Sequence, residues 1–152
     1  MTLEHAGEER IAAPPETVWA FVTDPEKVGR CFPDLIDLTV KDATHVDASV
    51  RVGVGPVRGK FTLKVELIPR PAERRIDMKM NGGGFGSAVD LTAGADVIDQ
   101  GDGTTLLKWS GTATPRGPVA AVGGRVLDAQ AKKLIEQAFA NVRQTLSGAA
   151  SG

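Results

Sequence analysis

From Val46 the apolar positions fall on every second residue: Val46, Ala48, Val50, Val52 and Val54 alternate with Asp47, Ser49, Arg51 and Gly53. A period of two marks a strand with one face buried and the other in water. Gly55-Pro56 interrupts it, and Val57, Gly59, Phe61, Leu63, Val65 and Leu67 resume it against Arg58, Lys60, Thr62, Lys64 and Glu66. A turn over Pro69 to Glu73 leads to Ile76, Met78 and Met80, which alternate with Asp77, Lys79 and Asn81. Beyond the glycine-rich run from Asn81 to Gly86, a further strand is marked by Phe85, Val89, Leu91, Ala95 and Val97. Gln100-Gly101-Asp102-Gly103 has the composition of a hairpin turn, and Leu107 and Trp109 carry the pattern on to Thr114. Alternating strands joined by short turns predict an antiparallel sheet with one buried face.

The two ends of the chain differ from this middle. Glu4 to Ile11 reads as a first strand, and Ala13-Pro14-Pro15 as the entry to a short helix carrying Val18, Trp19, Phe21 and Val22. Asp24-Pro25 has the form of an N-cap followed by a first-turn proline, so a second short helix is expected from Pro25 to about Arg30, stopped by Pro33-Asp34. After Pro115-Arg116-Gly117-Pro118 the period becomes helical: Val119, Val122, Val126, Leu127, Leu134, Ile135, Ala138, Phe139, Val142 and Leu146 share one side. Such a helix reaches about 28 residues, or about 40 Å, enough to cross a curved sheet. Gly123-Gly124 weakens its first turns and is a place for a kink, and Ala149 to Gly152 reads as a frayed tail. The fold class is therefore α+β: one domain over residues 1–152, a curved antiparallel sheet wrapped around a long C-terminal helix, with two short helices after the first strand.

Composition changes this picture in one respect. Among 152 residues there are 18 glycines, only 5% aromatics and no tyrosine. Large side chains normally fill the space between sheet and helix, so their scarcity leaves room for a hollow. A net charge of −1 gives no reason to expect nucleic acid as a partner. The single cysteine, Cys31, has no partner for an internal disulfide, and Met1 to Arg10 lacks the apolar core of a signal peptide. These point to the cytoplasm, with any membrane contact peripheral, at the inner face.

Candidate chemistry is sparse. His5 lies near the start and His45 in an expected turn, and neither sits in a catalytic motif. Two histidines and one cysteine, widely spaced, do not make a zinc pattern, so no metal is expected. Gly59-Lys60 resembles the end of a phosphate-binding loop, but Val54 stands where that loop needs glycine; the Gly82 to Gly86 run has Ser87 where a dinucleotide fingerprint needs its third glycine. What remains is an inward set: Val52, Phe61, Leu63, Val65, Met78, Met80, Phe85, Val89, Leu91, Leu107 and Trp109 on strands, facing Val126, Ile135 and Phe139 on the helix. It forms either a solid core or the wall of a ligand cavity, and the small Ser87, Ala93 and Ala95 on the same face as their bulky neighbours leave room for the second. With no buried charge evident, a ligand oxygen would turn to a backbone N–H, Trp109 or Ser87. On the solvent side, Arg51, Arg58, Lys60 and Lys64 form either a solvated face or a docking surface for an acidic partner or anionic headgroups.

The order of elements resembles the helix-grip fold of the START and Bet v 1-like (SRPBCC) superfamily, and local motifs narrow it. Ile11 to Trp19, Arg30-Cys31-Phe32-Pro33, the stretch from Val52 to Phe61 with Gly55-Pro56-Val57-Arg58-Gly59-Lys60-Phe61 at its heart, the Gly82 to Gly86 run, and Leu127 to Leu134 together resemble the G-subunit family of carbon monoxide dehydrogenase, in order and over nearly the whole chain. Asp34 departs from the family, which commonly has glycine there, so a different loop is expected. A C-terminal extension suited to membrane attachment, common among relatives, has no counterpart before Gly152. The resemblance implies a non-catalytic accessory protein of a molybdenum carbon monoxide dehydrogenase or related hydroxylase. Its implied ligand is a hydrophobic small molecule, a quinone, with no covalently bound cofactor, and its implied role is electron transfer or membrane recruitment. Alternatives are a maturation or recruitment factor acting by protein contact alone, and a small hydrolase or cyclase of the same fold.

Overall fold

The computed structural model describes the backbone of residues 1–151 and the side chains of residues 1–147. The chain runs β1 (Leu3–Ile11), α1 (Pro15–Val22), α2 (Pro25–Gly29), β2 (Leu35–Val40), β3 (His45–Val54), β4 (Val57–Arg70), β5 (Arg75–Gly84), β6 (Ser87–Asp99), β7 (Thr105–Arg116) and α3 (Gly124–Ser151). The strands form one antiparallel sheet in the order β1-β7-β6-β5-β4-β3-β2. Consecutive strands from β2 to β7 are neighbours, and β1 closes the far edge against β7. In place of the frayed tail expected over Ala149 to Gly152, the backbone is helical through Ser151, and Gly152 lies outside the described residues.

Local chemistry accounts for the joints. The β3–β4 hairpin turns on Gly55, whose φ of 56° suits the first of two central residues in a primed turn. The β5–β6 hairpin turns on Phe85 and Gly86, with φ of 56° and 75°. Asp24 caps α2 by accepting hydrogen bonds from the backbone N–H groups of Glu26 (2.9 Å) and Lys27 (3.3 Å), ahead of Pro25 in the first turn. Asp34 holds φ at 56°, the left-handed region that glycine enters at least cost.

Two expectations are corrected. Val119 and Val122 do not begin the long helix; they lie in a separate 3₁₀ turn over Gly117–Val122, and Gly123, at φ 105°, breaks the chain's direction before α3. His5 lies inside β1, the strand expected from Glu4 to Ile11, and is paired opposite Gly111. His45 opens β3 rather than occupying a turn, and pairs with Glu66.

The interior is not one continuous core. Ile11, Val18, Phe21, Val97, Leu107 and Leu146 form a cluster around the far end of α3. Val50, Val54, Val57, Phe61, Val119 and Leu127 form a second around its start. Val46, Val65, Leu67 and Ile76 form a third, against Trp19 and Val22 of α1 and Val28 of α2. Between these three lies the space the sheet encloses against α3.

Candidate functional site

That space is a cavity of about 1220 Å³, lined from the sheet, from α3 and from the segment that follows α2. Pairing fixes which side chains face it. Val89, Leu91, Ala93 and Ala95 of β6 stand opposite Pro115, Ala113, Gly111 and Trp109 of β7, and all eight line the wall. Gly82 of β5, paired with Val89, lines it too. Alanine and glycine at these positions keep the wall thin, and this is where the shortage of large side chains becomes volume.

Eleven of the fourteen residues expected to line a cavity do so: Val52, Phe61, Leu63, Met78, Met80, Val89, Leu91, Leu107 and Trp109 on strands, Ile135 and Phe139 on α3. Trp109 and Phe139 meet across the space with ring centroids 5.3 Å apart. The other three are corrections. Val65 faces inward but is 3% exposed within the third cluster, and it does not reach the cavity that its cluster neighbours Leu67 and Ile76 line. Phe85 sits on the hairpin turn, 57% exposed, with its ring 6.2 Å from that of Phe61. Val126 is 49% exposed, in the first turn of α3.

Ser87 has the right parity but does not line the cavity; its hydroxyl oxygen accepts a hydrogen bond from Val119 N–H at 2.9 Å and so fixes the 3₁₀ turn. The indole of Trp109 lies over Gly7, where a Cβ would come within 2.9 Å of the ring, and its Nε1 is buried without a hydrogen-bond partner. Neither offers a polar atom to the cavity. Cys31 lines it, but burial pushes its thiol pKa up to about 11, which leaves an inert thiol at neutral pH.

Polar side chains also line the cavity: Asp34 from the segment after α2, Arg51 and Arg58 from β3 and β4, and Gln130, Lys133 and Gln137 from α3. Arg51, Arg58, Lys60 and Lys64 are all exposed; register puts Arg51 beside Lys60 and Lys64 opposite Asp47, on the outer face. Arg51 and Arg58 therefore do more than face solvent, since they also reach the cavity edge. Asn141 Nδ2 donates to the Cys31 carbonyl at 3.0 Å, tying α3 to the segment after α2. Sequence reasoning missed two inward residues of β1: His5, whose Nε2 lies 3.0 Å from Asp128 Oδ1, and Glu9, which accepts from Arg143. Their alternation in Leu3 to Ile11 was the available signal. Among the described residues no cluster of three His, Cys, Asp or Glu could hold a metal ion, and no helix is long and apolar enough to cross a membrane.

A sheet gripping one long helix around a lined hollow defines a START-like, helix-grip protein, and solved structures agree. The chain superimposes on a conserved protein from Geobacillus kaustophilus with a TM-score of 0.86, at 25% identity over 96% of both chains. A START superfamily protein from Mycobacterium smegmatis matches with a TM-score of 0.74, at 16% identity over 95% of this chain and 97% of the other. The Zhui aromatase/cyclase from Streptomyces sp. R1128 shares the fold with a TM-score of 0.64, at 15% identity over 99% and 94%. No curated protein matches the sequence. The family model for the G subunit of carbon monoxide dehydrogenase (CoxG) matches residues 7–147, and the chain belongs to that family. The motifs that carried the resemblance come together in space. Cys31-Phe32-Pro33, Val52 to Val54 with Arg58 and Gly59, and Leu127 with Gln130 and Ala131 all border the cavity.

Proposed function

We propose that this protein is a non-catalytic carrier that holds a lipophilic ligand, a quinone, in the cavity and serves a molybdenum carbon monoxide dehydrogenase or a related hydroxylase. The observation that carries the reading is the hollow itself: about 1220 Å³ bounded by a sheet face that is almost wholly apolar. A ligand losing about 300 Å² of apolar surface there gains roughly 7 kcal/mol before ordering costs, enough to hold a cargo and still release it. Met78 and Met80 suit a flat guest whose contacts must adapt. Family membership supports the association with a dehydrogenase, while the aromatase/cyclase supports only the common fold. The cationic strip of Arg51, Arg58, Lys60 and Lys64 beside the cavity favours delivery at an acidic surface, of the partner enzyme or of the inner membrane face.

The test uses Trp109 as reporter. Trp19, which stacks near Arg74 and does not line the cavity, is replaced by phenylalanine so that one indole remains. Titration with a quinone analogue is expected to quench Trp109 saturably, and mass spectrometry of the purified native protein to reveal a lipophilic guest. Linear, unsaturable quenching together with an empty spectrum rejects the carrier reading.

A further inference from the structure

We propose that His5 is the hydrogen-bonding anchor of the cavity, and that the ligand is a lipophile carrying a carbonyl or hydroxyl oxygen placed against it. The proposal rests on the carrier reading and sharpens it. Of the inward-facing strand residues that line the cavity, His5 is the one with an ionisable side chain, and the only other polar one, Trp109, has its N–H turned onto Gly7. The inward Glu9 of the same strand is engaged by Arg143 and does not line the space.

The surroundings of His5 leave it accessible. Register sets it opposite Gly111, which contributes no side chain, and the neighbouring inward positions are Leu3, Gly7, Ala93 and Ala113. Gly111 and Ala93 both line the cavity, and a Cβ at Gly111 would already be in contact with Ala93 Cβ at 3.4 Å, so the wall beside His5 is built of minimal side chains. The imidazole is itself held. Nε2 is closed off from solvent and lies 3.0 Å from Asp128 Oδ1, near enough for charge attraction though not aligned as a hydrogen bond. The two ring nitrogens diverge, so Nδ1 is the nitrogen that Asp128 does not engage. With the proton on Nε2, Nδ1 offers a lone pair to a ligand hydroxyl; as imidazolium it donates to a carbonyl. One residue can thus accept both redox forms of a quinone-like ring, while a hydrocarbon of the same shape gains nothing from it.

Calorimetric titration of the whole protein with 2,3-dimethyl-1,4-naphthoquinone and with 2,3-dimethylnaphthalene separates shape from oxygen recognition. Wild type is expected to prefer the quinone; H5L is expected to lose about 10-fold in quinone affinity and to keep its affinity for the hydrocarbon. H5N, whose amide occupies the Nδ1 position, is expected to retain most of the preference, and thermal melts establish that each variant is folded. If wild type binds both probes and H5L weakens both equally or neither, His5 is not the anchor although the carrier stands. If wild type binds neither probe, the carrier reading falls, and the anchor with it.

Discussion

Arg143 Nη1 donates to Glu9 Oε2, joining residues 134 positions apart and fastening the far part of α3 to the edge strand β1. Together with His5 and Asp128 it gives α3 two attachments along the same strand. Asn141, donating to the Cys31 carbonyl, and Leu127, packed with Val54 and Val57 of the β3–β4 hairpin, hold α3 elsewhere, so the helix is fastened at several points while Ile135 and Phe139 between them line the cavity.

Glu9→Gln keeps the shape of the side chain and removes its charge. Because both partners are partly exposed, the expected loss is about 1 kcal/mol in urea unfolding. A double-mutant cycle with Arg143→Met should return most of that as coupling energy. Additive losses would mean that the pair does not hold the helix.

Filling the hollow should separate stability from binding. Ala93→Leu adds three carbons at a wall position beside Gly111. Melting is expected to be unchanged or improved, by up to about 2 kcal/mol, while quenching of Trp109 by a quinone analogue weakens at least 10-fold. A destabilisation of about 1–3 kcal/mol, the ordinary result of overpacking, would show that the space is already occupied by side chains.

Two phenylalanines in contact should respond differently. Phe61 is 4% exposed in the second cluster, and Phe61→Ala is expected to cost about 3–5 kcal/mol. Phe85, at φ 56° on the hairpin turn, occupies a backbone region that a bulky side chain enters only under strain. Phe85→Asn relieves that strain and loses the ring contact with Phe61, so its net effect on chemical unfolding should be under about 1 kcal/mol.

The sheet's outer face contributes a pH dependence. Burial alone would raise the carboxyl pKa of Asp77, but Arg70 Nε at 2.7 Å and Arg75 Nε at 3.0 Å reverse this and hold it below the ordinary range. A lowered folded-state pKa stabilises above the unfolded value near 4, and the contribution is lost as pH falls through the folded value. Wild type should therefore exceed Asp77→Asn in stability at pH 7, and the difference should shrink below about pH 4. A difference that stays constant down to pH 2 would contradict the assignment.

The alternation from Val46 to Leu67, the turn residues Gly55-Pro56 and the helical period read from Val119 onward were enough to define the sheet, its antiparallel order and the helix that crosses it, though not that helix's start. Each depends on neighbours a few residues apart, so the information is local. The motifs shared with the CoxG family were legible for the same reason.

Parity along a strand says which face a side chain takes, but not what lies above it. Val65 and Leu63 share a face, yet Val65 is buried in the cluster that α1 and α2 cover, while Leu63 lines the cavity. Phe85 continued the apolar pattern and was placed by the turn instead, and Val126 fitted the helical stripe in a first turn that projects into solvent. The inward His5 and Glu9 had no legible purpose, because Asp128 and Arg143 lie at the other end of the chain. Local sequence thus determined the elements and their faces; only tertiary packing, of α1 and α2 over one part of the sheet and of α3 against β1 across more than a hundred residues of chain, decided where the interior would be solid and where it would stay hollow.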